Sequence, residues 1–114
     1  DAAALCKMAE RGQIRGGIVD GPLALDNAVS FVAAKTKGIA SAVAGQADIL
    51  VVPDLESGHI LARQLEYLAD GASAGIVVGA RVPIVLPGRA DSVATRVASC
   101  ALALLIARNR RSAA

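Results

Sequence analysis

The feature that most constrains this chain is one pattern that occurs three times: a short apolar run, a short polar loop, and a stretch with helical periodicity. The apolar runs are GGIV (16–19), ADILVV (47–52) and AGIVVGARVPIVL (74–86). None of them alternates clearly between apolar and polar residues, as a half-buried antiparallel strand would. Apolar strands separated by helices are typical of a parallel sheet that is covered on both faces. The pattern therefore predicts an α/β fold, with a three-layer, parallel-type sheet and crossover helices.

Length and composition indicate one domain and exclude several classes of partner. The 114 residues are 54% hydrophobic but only 2% aromatic, so we expect a core of Ala, Val, Leu and Ile. A net charge of +2, with Phe31 and Tyr67 as the only aromatic rings, argues against nucleic-acid binding. No apolar run is long enough to cross a bilayer, so no membrane partner is expected. Cys6 and Cys100 lack metal-ligand spacing, which favours reduced thiols in a cytoplasmic protein.

The loop after the third apolar run, PGRADS (87–92), is the strongest candidate for a binding site. Ligands collect at the carboxyl ends of parallel strands, and this loop follows such an end. Gly88 lets the backbone approach a ligand closely, and Asp91 or Ser92 is suited to cap the helix that follows. Free amides at a helix start and the forked guanidinium of Arg89 both suit a phosphate group. An anion-binding Arg89 and a solvated loop arginine are both compatible with this pattern.

The other two loops carry weaker candidates. Asp20 ends the first apolar run, where its carboxylate could line a cleft. In the second loop, PDLESGH (53–59), Asp54 or Ser57 is suited to cap the next helix. His59 in the same loop could act as a general base or as a metal ligand. A metal site is not expected, because no second histidine and no thiolate stands near His59 in the sequence.

Three segments, in order, resemble successive blocks of the phosphate acetyl/butyryltransferase family. They are VDGPLALDNAVS (19–30), VAGQADILVVPDLESGHILARQLEYLA (43–69) and SAGIVVGARVPIVLPGRADS (73–92). The sequences of these segments are most similar to the butyryltransferase-like branch of the family, including the acyltransferase part of enoyl-CoA hydratase fusions. The resemblance implies a fold like that of the isocitrate and isopropylmalate dehydrogenases, usually as a homodimer. It also implies a reversible reaction of acyl-CoA with inorganic phosphate to give acyl phosphate and CoA, with no metal or organic cofactor.

The resemblance further implies roles for single residues. The family has a Ser-Arg pair at the third loop; its arginine corresponds to Arg89, and its serine to Gly88, which lacks the hydroxyl group. The acidic residue proposed as the base in the acetyltransferase branch falls near Thr95, so Asp91 is the nearest available carboxylate. The predicted catalytic residues are Arg89 and Asp91, and the predicted substrate-binding residues are Gly88, Arg89, Ser92, Asp20 and His59.

Family enzymes are much longer, so the resemblance implies that residues 1–114 are one α/β segment from the C-terminal part of such an enzyme, inactive by itself. The alternative is a module of the same fold that binds CoA or phosphate, or serves in assembly, without catalysis. The missing serine favours this alternative, and the intact blocks oppose it. The run from Val97 to Ala107 is apolar on nearly every side. That predicts burial all round, against the rest of a larger protein or a second subunit, and a homodimer is expected.

Overall fold

A computed structural model describes residues 1–112, with side chains placed as far as Arg110. The helices in this part of the chain are α1 (Ala2–Glu10), α2 (Leu25–Val29), α3 (Phe31–Thr36), α4 (Leu55–Tyr67) and α5 (Val93–Ser112). Asp1–Val51 forms one compact unit, and the chain from Val52 onward forms a second. Across residues 1–112, no helix is both long enough and apolar enough to cross a membrane.

The predicted α/β fold is wrong, because residues 1–112 contain no β-strand and irregular segments join the helices. The third apolar run forms one isolated antiparallel bridge, in which the Val77 amide donates to the Ile84 carbonyl at 2.8 Å. In the second run, Ile49 and Val51 are each 81% exposed. A parallel strand obtains its hydrogen bonds from neighbouring strands, and apolar composition alone does not supply a neighbour. The three-layer sheet and the isocitrate/isopropylmalate dehydrogenase-like fold therefore do not describe residues 1–112.

In the first unit, the helical stretch after the first loop is divided at Ser30. The Ser30 amide closes α2 by donating to the Asp26 carbonyl at 2.9 Å. The Ser30 hydroxyl then accepts a hydrogen bond from the Ala33 amide at 3.3 Å and so begins α3. A serine bonded in this way competes with helix continuation, which explains the break. The Lys37 ammonium, just after α3, pairs with the Asp26 carboxylate at 2.7 Å.

The core of the first unit consists of small side chains. Its buried residues are Asn27, Ala28, Ala34 and Ala44. The loop after α3 returns to α2, and the Gly45 amide donates to the Asn27 carbonyl at 2.7 Å. Gly45 has a φ of +88°, and a β-carbon there would overlap the Phe31 Cα. The loop reaches α2 because residue 45 has no side chain.

In the second unit, the residue just before each helix caps that helix with its side chain. The Asp54 carboxylate accepts a hydrogen bond from the Ser57 amide at 2.7 Å, and α4 begins at Leu55. The Ser92 hydroxyl accepts one from the Thr95 amide at 3.1 Å, and α5 begins at Val93. The sequence left two residues open for each cap, and the structure selects Asp54 over Ser57 and Ser92 over Asp91. Both caps form locally, because a cap needs only a short polar side chain and the next free amides.

Residues 1–112 bury helix α5 on one side only, and its burial against the rest of a larger protein or a second subunit stays a prediction. Among its described side chains, only Ser99 and Ala103 are buried, while Val97, Leu104 and Leu105 are between 63% and 72% exposed. Ser99 connects α5 to the third apolar run, since its hydroxyl accepts a hydrogen bond from the Gly75 amide at 3.0 Å. The second unit thus covers one side of α5 and leaves the remaining apolar side chains exposed.

Candidate functional site

The loop at 87–92 forms a closed turn that leads directly into α5. The Gly88 amide donates to Asp91 Oδ2 at 2.7 Å, and the Asp91 amide donates back to the Gly88 carbonyl at 3.2 Å. This pair of hydrogen bonds closes the backbone across the turn and leaves Arg89 and Ala90 at its tip. Aspartate suits this place because its short side chain can bond to a nearby backbone amide.

Helix α4 contributes an arginine to the turn. Arg63 donates from Nη1 and from Nη2 to Asp91 Oδ1, each at 3.1 Å. Its Nη1 also donates to Glu66 Oε2 at 2.6 Å. The Asp91 side chain is only 11% exposed, whereas the Arg63 side chain is 36% exposed. Both oxygens of Asp91 are therefore occupied, one by the turn itself and one by α4.

Helix α5 contributes a second arginine, which bonds to the turn through its carbonyl groups. Arg96 Nε donates to the Asp91 carbonyl at 3.2 Å, and Arg96 Nη2 donates to the Arg89 carbonyl at 3.2 Å. The Gly88 carbonyl accepts a longer bond from the same nitrogen at 3.4 Å. Arg96 thereby satisfies carbonyl groups of the turn with charged hydrogen bonds, and its positive charge adds to the local field.

These contacts lower the pKa of Asp91. The Gly88 amide is the largest cause and the hydrogen bonds from Arg63 are the next, while partial burial acts in the opposite direction. The same pairing with Asp91, and then with Glu66, raises the pKa of Arg63. A carboxylate held in its ionised form is a weak proton acceptor. The geometry gives Asp91 a part in holding the turn, and its role as a base stays a prediction.

Arg89 projects from the tip of this turn and is exposed. Its backbone carbonyl bonds to Arg96, but its side chain forms no hydrogen bond or ion pair with the described residues. Ser92 stands at the start of α5, where its hydroxyl caps the helix and also lies 3.1 Å from Thr95 Oγ1. The structure therefore brings four predicted site residues together, with the guanidinium of Arg89 available to a ligand: Gly88, Arg89, Asp91 and Ser92.

The remaining predicted residues, His59 and Asp20, lie outside the turn. His59 is exposed on α4, where its Nε2 accepts a long hydrogen bond of 3.4 Å from Arg63 Nε, so it contacts the residue that holds Asp91. Asp20 belongs to the first unit, and its carboxylate accepts a hydrogen bond from the Gly21 amide at 2.8 Å. Nowhere in the described chain do three His, Cys, Asp or Glu side chains gather as metal ligands would.

Sequence reasoning missed Arg63 and Arg96. Arg63 belongs to the polar face of α4, and nothing in the local pattern points to Asp91, which is 28 residues away. Arg96 did carry a usable signal. A cation near a helix N-terminus opposes the helix dipole, so an arginine in the first turns of α5 suggests an acceptor elsewhere.

Comparison with known proteins relates the chain to a family. Residues 1–104 match the model of the phosphate acetyl/butaryl transferase family. The chain is 65% identical over 113 residues to a phosphate acetyltransferase of Rhizobium meliloti, covering 99% of this chain and 36% of that protein. It is 51% identical over 110 residues to a phosphate butyryltransferase of Clostridium acetobutylicum, covering 96% of this chain and 36% of that protein.

A solved structure supports the same relationship. The chain is similar to a branched-chain phosphotransacylase from Enterococcus faecalis V583, with a TM-score of 0.70 and 35% sequence identity. The similarity covers 89% of this chain and 37% of that one. The chain belongs to the phosphate acetyl/butaryl transferase family, so the membership predicted from three sequence blocks is confirmed. It spans 36% of the length of each of the two curated relatives.

Proposed function

We propose that this chain serves a phosphate acyltransferase of the acetyl or butyryl type, which converts acyl-CoA and inorganic phosphate into acyl phosphate and CoA. The observation that carries the proposal is the match of residues 1–104 to the family model. The turn at 87–92 supports it, because an exposed arginine beside a helix start suits a phosphate group. We also propose a cytoplasmic location; Cys6 and Cys100, both free thiols, are compatible with a reducing compartment.

In the proposed reaction, a phosphate oxygen attacks the thioester carbonyl carbon, and the CoA thiolate leaves as the carbonyl re-forms. Arg89 binds the phosphate through paired hydrogen bonds and holds it against the thioester. Positive charge from Arg89 and from the start of α5 also stabilises negative charge that develops in the transition state. In the reverse direction, the CoA thiolate attacks the acyl phosphate, and phosphate leaves into the same site.

A chimera tests this proposal, because the chain matches a defined part of a longer relative. The matched 113-residue segment of the Rhizobium meliloti acetyltransferase is replaced with this chain. Formation of acyl phosphate is then followed with acetyl-CoA and with butyryl-CoA. We expect the chimera to turn over at least one of the two thioesters, and the isolated 114-residue chain to turn over neither.

Two arginine variants of the chimera test whether its activity depends on Arg89. Arg89→Gln should lower kcat/KM for phosphate by about ten- to hundredfold, because a charged hydrogen-bonding group is lost. Arg81→Gln removes the same charge from an exposed side chain elsewhere in the second unit, and we expect it to stay within about twofold of the parent. Equal activity in the two variants would contradict the assignment of Arg89.

A module that binds CoA or phosphate without catalysis is the second candidate function. The observation that favours it is Gly88, which has no hydroxyl group, beside an Asp91 whose two oxygens are both occupied. An inactive chimera that still binds CoA in calorimetry, with an affinity that falls in Arg89→Gln, would select this candidate.

We also propose that the protein assembles as a homodimer through α5. The exposed side chains of Val97, Leu104 and Leu105 support this, since burying one such side chain is worth roughly 1.5–3 kcal/mol. A two-fold dimer is the commonest closed assembly of soluble chains. Light scattering at micromolar concentration should give at least the dimer mass, and Leu104→Glu should reduce it. A monomeric mass for the unaltered chain would contradict the proposal.

A further inference from the structure

Arg63 is the side chain that joins α4 to the turn at 87–92, and its own helix fixes its direction. The guanidinium bonds to Glu66 Oε2 at 2.6 Å and lies 6.0 Å from the centre of the Tyr67 ring. Both partners are within about one turn of Arg63 on α4, where side chains three and four positions apart are neighbours. With the guanidinium oriented in this way, Nη1 and Nη2 both donate to a single atom, Asp91 Oδ1.

Asp91 is in a position to interfere with anion binding. It stands two residues after Arg89, and its charge would repel a phosphate or pair with the Arg89 guanidinium in its place. In the structure the Asp91 carboxylate is held by other partners and not by Arg89, since Oδ2 bonds to the Gly88 amide and Oδ1 bonds to Arg63. The charged groups around this pair are Arg96, which bonds to the Asp91 carbonyl, and Glu66, which bonds to Arg63.

We propose that Arg63 is a positioning residue of the anion site: it holds and neutralises the Asp91 carboxylate, so that Arg89 remains available to phosphate. The inference rests on the proposed function for its assignment of phosphate to Arg89. Arg63 itself does not touch the phosphate. Arg63 affects phosphate binding in two ways. It neutralises the charge of Asp91, and it helps to keep the shape of the turn, which is closed by the hydrogen bond from the Gly88 amide to the Asp91 carboxylate.

Phosphate titrations of the full 114-residue chain test the proposal without any need for turnover. Inorganic phosphate is added to the ¹⁵N-labelled protein, and the signals of the Gly88 amide and the Arg89 Nε–H are followed. Arg63→Gln should weaken phosphate binding about tenfold, since it leaves the Asp91 charge unpaired beside Arg89. Arg81→Gln is the matched control, because it removes one positive charge from an exposed side chain of the same unit. It should stay within about twofold of the unaltered chain.

A double variant separates this role from a merely structural one. Arg63→Gln combined with Asp91→Asn removes both charges, and phosphate affinity should return to within about threefold of the unaltered chain. A residue that only supported the fold would not be rescued by a second loss of contacts. Arg63→Gln with unchanged affinity, or a double variant that binds as weakly as Arg63→Gln, would overturn the proposal.

Asp91→Asn alone carries the test if Arg63→Gln does not fold. With the repelling charge removed and the Gly88 hydrogen bond still possible, phosphate affinity should stay equal or rise by up to about threefold. A clear loss of affinity would overturn the proposal. If phosphate does not perturb residues 88–92 of the unaltered chain at all, the anion site itself fails and the inference fails with it. Failure of the acyltransferase proposal is recognised separately, by an inactive chimera in which this binding pattern persists.

Discussion

Gly88 lies where a side chain would have little space. A β-carbon there would lie 2.8 Å from Asp91 Oδ1 and 3.0 Å from Arg63 Nη2. Such distances are shorter than ordinary van der Waals contact, and the carboxylate cannot retreat without losing a bond to the Gly88 amide or to Arg63. The Asp91 carboxylate thus occupies space that a side chain at position 88 would need. A side chain at position 88 therefore requires the Asp91 carboxylate or the Arg63 guanidinium to shift.

Substitution of Gly88 should therefore destabilise the chain before it changes any chemistry. We expect Gly88→Ala and Gly88→Ser each to lower the free energy of unfolding by about 1–3 kcal/mol, because both overpack the turn. Denaturant unfolding of the two variants measures this. In an Asp91→Ala background, which removes the opposing oxygens, the penalty of Gly88→Ala should become clearly smaller. A penalty of the same size in both backgrounds would show that crowding against Asp91 is not its cause.

The start of α5 combines a structural task with a predicted binding task. Ser92 caps the helix through the Thr95 amide and stands in the same short segment as Arg89. The two tasks respond differently to a negative charge. A carboxylate at the cap accepts the same hydrogen bond and suits the helix dipole, whereas it repels a phosphate placed at the same helix end.

Two substitutions at Ser92 should separate these tasks. Ser92→Ala should lower the free energy of unfolding by about 1 kcal/mol, because the cap is lost. Ser92→Asp should keep the stability but bind phosphate more weakly than the unaltered chain, because of charge repulsion. Urea unfolding and calorimetry with inorganic phosphate are the two measurements. Equal stability of the alanine and aspartate variants would argue against the cap, and unchanged phosphate binding in Ser92→Asp would argue against a ligand at this helix start.

Both units contain aspartates whose pKa is lowered by hydrogen bonds. The pKa of Asp26 is lowered chiefly by Lys37, that of Asp54 by Ser57, and that of Asp91 by the Gly88 amide and then by Arg63. Each of these carboxyl groups releases its proton more readily in the folded chain than in the unfolded chain. Their contribution to stability is complete above the unfolded pKa of about 3.9 and is lost as the pH falls through the lower folded values.

The chain as a whole should therefore lose stability in acid, with Asp91 among the groups responsible. We expect a lower free energy of unfolding at about pH 3 than at about pH 5, and a smaller difference between the two in Asp91→Asn. Asp48→Asn is a control at an exposed aspartate of the first unit, and the full difference should remain there. An acid loss in Asp91→Asn as large as that of the unaltered chain would contradict the role assigned to these hydrogen bonds.

The sequence determined the features that depend on neighbours along the chain. Asp54 and Ser92 were predictable as caps, because each needs only the free amides of the next few residues. The segment from Gly88 to Ser92 was predictable as one cluster, because its residues are adjacent. Family membership was predictable as well, since three ordered blocks of residues carry it.

The tertiary structure decided which distant groups meet, and there the local patterns failed. Apolar composition predicted strands at three runs, but a strand requires a series of hydrogen bonds to a neighbour, and residues 1–112 form only the single bridge between Val77 and Ile84. Arg63 lies on the polar face of α4 with no local sign of a partner, yet it holds a carboxylate 28 residues away. A side chain's polarity sets what it can bond to, whereas its partner is set by how the chain brings α4 beside the turn. For that reason the sequence could point to Arg89, whose role stays a prediction, but not to Arg63, whose partner lies on a distant segment.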